Sequence, residues 1–265
     1  MSDMVIDMNK TMRSVHNHLD DIKLILNKSK TCFMQFYTKQ SKYRESALFK
    51  TGEKSIEHVS AFKLLGCYID MSLNWKDHIA YLCKKIAPNC FALKRLSHIT
   101  NKDVCKTYYY AHIASLLSYA VIFWGNSSNV GRVFIVQKRI IRCMFNIPFR
   151  DTCRTTFVTE KILTLPCIYV LEVLKFVRLN THKFCHLNQN HSYHTRKGFD
   201  LKYPNHKLAL FELNPFYMGI TLFNKLPPAV RQLPYHKFVK TIKQILALKA
   251  YYSLEEFISD NLGIK

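Results

Sequence analysis

Histidine and cysteine are the first residue types here to test for chemistry, because both bind zinc. His182, Cys185, His186, His191 and His194 fall in one stretch. Their spacing matches no ordinary zinc finger or knuckle, so the stretch reads as a surface loop and no metal site is expected. The chain has nine cysteines, an odd number, scattered and without a C-x-x-C pair. Met1 opens onto Asp3 and Asp7 rather than onto a basic and then apolar run, so no secretory signal is read. The cysteines are therefore expected to be reduced thiols, mostly buried, in an intracellular protein of the cytoplasm, the nucleus or both.

The other chemistry in reach is phosphate binding. The 265 residues carry 39 Lys and Arg against 18 Asp and Glu, a net charge of +21. Phosphate backbones and anionic membranes are the usual partners of such a charge. It is concentrated: from His78 to Arg150 a single acid, Asp103, faces eleven Lys and Arg. Lys84, Lys85, Lys94 and Arg95 fall mostly off a helical apolar stripe made by Trp75, Ile79, Leu82, Ile86, Cys90, Leu93 and Leu96. Lys138, Arg139 and Arg142 fall on an exposed side of a helix expected over Arg132–Phe145. These seven are the phosphate-contact candidates, and three basic helices make a plausible backbone-tracking surface. A solvated helix bundle would share the periodicity without needing the acid depletion.

A membrane partner is not expected. Residues 107–124 carry no Lys, Arg, Asp or Glu, but they include His112, Ser115, Ser118 and four tyrosines. Those side chains are costly or interfacial in lipid, so the segment reads as a buried helix of a soluble domain.

The elements that must position the candidates follow from period and punctuation. Met4, Met8, Met12, Val15, Leu19 and Ile22 recur at helical spacing, and Asn27–Ser29 ends that helix. Thr31–Phe36 alternates and predicts a strand. A hairpin is expected from Ala47–Lys50 through a Thr51–Glu53 turn to Lys54–Val59. Phe62–Asp70 is an apolar strand that turns at Gly66, where the backbone can approach another group closely, and Trp75 is placed in the first turn of the next helix. Pro88 should kink or divide that helix. Asn101 is set to cap the uncharged one, and Gly125–Gly131 is a loop. Further helices are expected over Thr159–Thr164, over Cys167–Phe184, and from Pro227–Pro228 to about Tyr252. Ser253–Glu256 has capping-box spacing, Phe211–Leu226 reads as packed, and His191–Asn205 as linker or loop. The expected class is α+β and mostly helical, with a small antiparallel sheet first and helical bundles after it.

Several segments resemble non-LTR retrotransposon reverse transcriptases, the jockey-like lineages in particular. Leu26–Phe36 is similar to the family's L-N-x-x-K-T-x-x-M-x-F. Gly52–Ile69 is similar to G-x-x-I-x-x-V-x-x-F-x-x-L-G-x-x-I. Ser115–Ala120 with Trp124–Gly125 resembles S-x-L-x-Y-G followed by W-G, and Ala120 departs from the usual glycine, which argues for looser packing there. Tyr193–Arg196 and Pro215–Pro227 resemble the family's C-terminal tail. The segments occur in the family's order across nearly the whole chain.

The resemblance implies a palm end with a primer-grip hairpin over residues 1–74, a thumb-like bundle over 75–150 and a helical extension over 151–265. It implies RNA or DNA primer–template as partner, with Leu65 and Gly66 in the primer grip. Lys30 matches a lysine that serves as general acid for the leaving pyrophosphate. The family's polymerases hold two magnesium ions on carboxylates, two of them from an aromatic-Ala-Asp-Asp hairpin. The only Asp-Asp pair here, Asp20–Asp21, follows Leu19 near a helix end, and adjacent helix residues do not share a face. No catalytic residue, metal or cofactor is therefore expected of this chain, and the reading is a truncated, non-polymerising fragment. Two alternatives stand: one part of an active polymerase whose fingers and palm lie upstream, with which this chain would associate, or a non-catalytic interaction module or relic. Exposed apolar surface is expected where palm partners are missing.

Overall fold

The computed structural model describes residues 2–27, 29–37, 50–51, 54–185 and 200–262. They fall into two compact units, Met1–His78 and Ile79–Lys265.

The first unit opens with helix α1, Ser2–Asp21. It ends before the expected Asn27 because Lys23 turns left-handed, with φ 57°, and the Leu24 amide reaches back to the Leu19 carbonyl. That is the hydrogen bonding of a Schellman stop. The expected apolar stripe is largely in water: Met8, Val15 and Ile22 are exposed, as are Ile6, Leu24 and Ile25.

Three two-stranded pairs replace one small sheet among the described residues. Strand β1, Cys32–Phe33, pairs in parallel with β4, Glu57–His58. Strands β2, Lys50–Thr51, and β3, Lys54–Ser55, form the antiparallel stem of the expected hairpin, whose residues 47–49 and 52–53 lie outside the described residues. The Lys54–Val59 strand is thus split at Ile56, because its halves pair with different partners. Strands β5, Ala61–Leu64, and β6, Cys67–Asp70, form an antiparallel hairpin closed by the Leu64–Cys67 pair.

The second unit is helical, and its first helix begins within the last three residues of the first unit. Helices α2, Lys76–Ile86, and α3, Asn89–Ile99, are separated at Pro88, which lacks the amide a continuous helix needs. Helix α4, Lys102–Tyr109, starts where the Asn101 side chain accepts from the Val104 amide at 3.0 Å. A π turn over Tyr110–Ala114 leads to α5, Ser115–Ser118, and α6, Val121–Trp124, follows. The uncharged segment is therefore a broken helix rather than a single buried one, and Tyr110, Tyr119 and Phe123 are about half exposed. Its break is Ala120, left-handed at φ 52°. No helix among the described residues is long and apolar enough to cross a membrane.

Helix α7, Gly131–Phe145, ends on left-handed Asn146. Helix α8, Arg154–Thr159, lies earlier than expected, because left-handed Lys161 stops it. Pro166 then sits inside the first turn of α9, Leu165–Leu179, instead of dividing two helices. The cap of α9 is Thr164, whose hydroxyl accepts from the Cys167 amide. Helix α9 is the core: nine of its residues, from Leu165 to Val177, are buried, and α5, α6, α7, α10 and α12 pack on it. A helix apolar on nearly every side has no solvated face to keep. Helices α10, Pro215–Lys225, α11, Pro228–Arg231, and α12, Tyr235–Lys249, follow, the last two divided by Pro234. Ser253 caps α13, Leu254–Ser259, by accepting from the Glu256 amide at 3.2 Å.

Of the expected loop His191–Asn205, residues 191–199 lie outside the described residues. Leu201 beyond them is buried, its amide and carbonyl both bonded to the Asn224 side chain.

Candidate nucleic-acid interface

Helix α2 turns Ile79, Leu82 and Ile86 inward, with at most 3% exposure, so Lys84 and Lys85 in its last turn face water. Cations there also suit the negative end of the helix dipole. Helix α3 buries Leu93, which leaves Phe91, Lys94, Arg95, His98 and Ile99 on its outer side. Helix α7 packs against α3 and buries Val133, Phe134, Gln137, Ile140, Ile141 and Met144. Arg139 is exposed on it.

Two of the seven candidates, Lys138 and Arg142, are only half-exposed, whereas Lys85 and Arg95 stay exposed although they too lie near rings, 5.7 Å from that of Tyr81 and 5.5 Å from that of Phe91. The Lys138 ammonium lies 4.8 Å from the Phe134 ring centre and 5.4 Å from that of Tyr252. Arg142 donates to the Asp151 carbonyl at 3.1 Å and lies 6.0 Å from the Phe149 ring. Cation–π contacts of this kind hold a charge in place without neutralising it. The outward set is therefore Lys84, Lys85, Lys94, Arg95 and Arg139.

In the first unit, Leu65 and Gly66 are the two-residue turn of the β5–β6 hairpin. Both have positive φ, 47° and 88°, the pattern of a type I′ turn. Glycine accepts that backbone freely, and leucine does not. Leu65 is 84% exposed at the tip. Lys30 follows a turn in which its amide donates to the Asn27 side chain, and it lines a cleft of about 300 Å³ with Phe36, Phe62, Leu64 and Ile69 among others.

Among the described residues, the Asp20–Asp21 pair does not have the placement that a two-metal polymerase site needs. Asp20 and Asp21 are exposed in the last turn of α1, and Asp20 lies 3.9 Å from His16. Among the described residues no group of three His, Cys, Asp or Glu is placed to hold a metal ion. His182 and exposed Cys185 are described, while His186, His191 and His194 lie outside the described residues.

All nine cysteines are free thiols; Cys105, Cys153 and Cys167 are buried, five are half-buried, and Cys185 is exposed, so burial is less complete than expected. Burial, joined by the neighbouring Cys143, pushes the Cys90 thiol up to about 11, with Arg139 opposing. Burial likewise raises Cys83. Thiols held protonated are poor nucleophiles.

No protein family, curated protein or solved structure matches the chain.

Two positioning residues were missed by the sequence reading. Asp70 is nearly buried and accepts from the Ser72 hydroxyl at 2.8 Å and from the Ser72, Asn74 and Trp75 amides at 2.9–3.1 Å. It thereby holds left-handed Leu73 and Trp75, so Trp75 precedes α2 instead of entering its first turn. The Asp-x-Ser-x-Asn spacing is the available signal, since short polar side chains organise turns this way. Gln137 is wholly buried and donates to the Tyr109 hydroxyl and the Leu163 carbonyl while accepting from the Leu165 amide, at 2.8–2.9 Å. It ties α4, α7 and the start of α9 together.

Proposed function

We propose that the chain binds nucleic acid through phosphates, as a non-polymerising fragment of a non-LTR retrotransposon reverse transcriptase that contacts primer–template. The observation that carries this reading is the outward set Lys84, Lys85, Lys94, Arg95 and Arg139, on helices of a stretch with one acid. The motif order described above supports the family assignment. The free thiols support an intracellular setting, cytoplasmic or nuclear.

Salt-dependent binding is the test. If all five outward cations contact phosphates of a single strand, log K falls against log salt with a slope of about −3.5. Absence of binding at low salt, or a flat salt response, overturns the reading. Primer extension with magnesium by the purified chain would overturn its non-polymerising part.

A second reading concerns association. Ile6, Val15, Ile22, Leu24 and Ile25 of the first unit are 43–95% exposed. This favours a protein partner, such as the remainder of a polymerase, covering that surface. Co-expression with candidate palm segments would then raise the soluble yield; unchanged yield and a monomeric chain count against it.

A further inference from the structure

The outer stripe of α3 mixes cations with exposed apolar groups. Phe91 is 67% exposed and Ile99 is 78% exposed, and Lys94 and Arg95 lie between them on the same side of the helix. The Arg95 guanidinium sits 5.5 Å from the Phe91 ring centre. A second pair repeats the arrangement beyond α7: Phe149 is 86% exposed, with the Arg142 guanidinium 6.0 Å from its ring centre. A phosphate-tracking surface alone needs no phenyl rings in water. Leaving one exposed forgoes about 1.5–3 kcal/mol of burial that a core position would supply. Single exposed apolar residues are ordinary on protein surfaces. Two phenyl rings, each beside a guanidinium, in a stretch depleted of acids, are a more specific arrangement.

We infer that Phe91 and Phe149 are stacking platforms for unpaired bases, so the surface selects single-stranded over duplex nucleic acid. The inference rests on the phosphate-binding reading and names its substrate class. Every base has a face that stacks on a phenyl ring, whereas a duplex keeps its bases stacked on one another. The paired guanidinium adds a cationic contact beside the ring, and Lys94 lies one turn along to meet the phosphate. Charge complementarity favours a polyanion as occupant. The rings add what a duplex backbone does not use.

The test compares a short labelled oligothymidylate with a duplex of equal length, using the full chain, Phe91→Ala, Phe149→Ala and Phe91→Trp. Phe91→Ala is expected to weaken oligothymidylate binding by about 5- to 150-fold, the range for one base–aromatic stack. Duplex affinity and the salt slope should stay unchanged, and Phe91→Trp should retain binding. All three substitutions are at exposed positions, so their circular dichroism should match the parent. If the parent binds with a steep salt slope and both alanine variants bind oligothymidylate equally well, the stacking inference fails while the phosphate reading stands. If the parent binds neither oligonucleotide at low salt, both fail. If it binds phosphatidylserine vesicles and oligothymidylate does not compete, the rings are membrane contacts and the inference is overturned.

Discussion

Replacing Ala120 by glycine should stabilise the protein. Ala120 sits between α5 and α6 at φ 52°, ψ 20°, where an L side chain crowds the following carbonyl. That conformation costs about 1–2 kcal/mol relative to a right-handed one. Glycine removes the cost but adds about 0.5–1 kcal/mol of backbone entropy to lose on folding. Ala120 is only half-buried, so deleting its methyl group sacrifices little packing. The net gain is about 0.5–1 kcal/mol. Ala250 is the internal control, because it is left-handed too, at φ 45°, ψ 56°, but wholly buried. There the lost methyl costs about 0.8 kcal/mol, so Ala250→Gly should be close to neutral. Urea unfolding of both variants, with unchanged m-values, measures the difference directly. A loss of stability in Ala120→Gly would refute the claim that this backbone is strained. It would also return the position to the looser-packing account that the sequence alone suggested.

Gly125 accepts no side chain: a Cβ there would lie 2.5 Å from Tyr169 Cδ2 and 2.6 Å from the Val121 carbonyl oxygen. Gly125→Ala should therefore cost about 1–3 kcal/mol in chemical denaturation, and a neutral result would show that α6 and α9 part easily. Gln137→Leu strands the Tyr109 hydroxyl, the Leu163 carbonyl and the Leu165 amide, and should cost about 3–5 kcal/mol; a loss below 1 kcal/mol would show that the hub is dispensable. Burial lowers the His78 pKa from 6.5 to about 4. The unfolded chain protonates first, so this contribution is whole above about pH 6.5 and declines as the pH falls toward 4. His78→Asn, which keeps an acceptor for the Tyr68 amide, should flatten the stability profile in that window, and an unchanged profile counts against the burial argument.

Local chemistry made part of this fold legible. Pro88 lacks an amide, Asn101 and Ser253 carry short acceptors, and each marks a helix boundary where the structure places one. Positive backbone angles were not legible at Lys23, Leu73, Trp75, Ala120, Lys161 and Ala250, since none of these residue types signals one. They account for the early end of α1, the shifted start of α2, the break before α6 and the shifted α8. The split of Lys54–Val59 between two partners was hidden for another reason: strand pairing is non-local, and a short alternating run does not say what it pairs with. At the candidate interface, helical period placed Lys84, Lys85, Lys94, Arg95 and Arg139 in water, but Lys138 and Arg142, expected on the same exposed side, are only half-exposed. Period and acid depletion carried no information on Gln137, which reads as one polar residue in an apolar stripe.

The cations of α7 show why charge alone misjudges a binding surface. Lys138 and Arg139 are neighbours in sequence, and charge and periodicity treat them alike. In the fold, Lys138 lies against two aromatic rings that join α7 to the segment before α13, while Arg139 is exposed. Removing Lys138 should therefore cost about 1 kcal/mol of stability, the size of a partly desolvated cation–π contact. Its effect on nucleic-acid affinity should be small. Removing Arg139 should leave stability within about 0.5 kcal/mol, as surface substitutions usually do. It should reduce the salt slope for single strands by about 0.7, the loss of one phosphate contact. Lys138→Ala and Arg139→Ala, each measured for urea midpoint and salt slope, separate the two roles. If both variants lose the same slope and neither loses stability, α7 presents an undivided cationic face and the packing argument for Lys138 is wrong. If neither alters the slope, the phosphates are held elsewhere, and the cations of α2 and α3 must carry them.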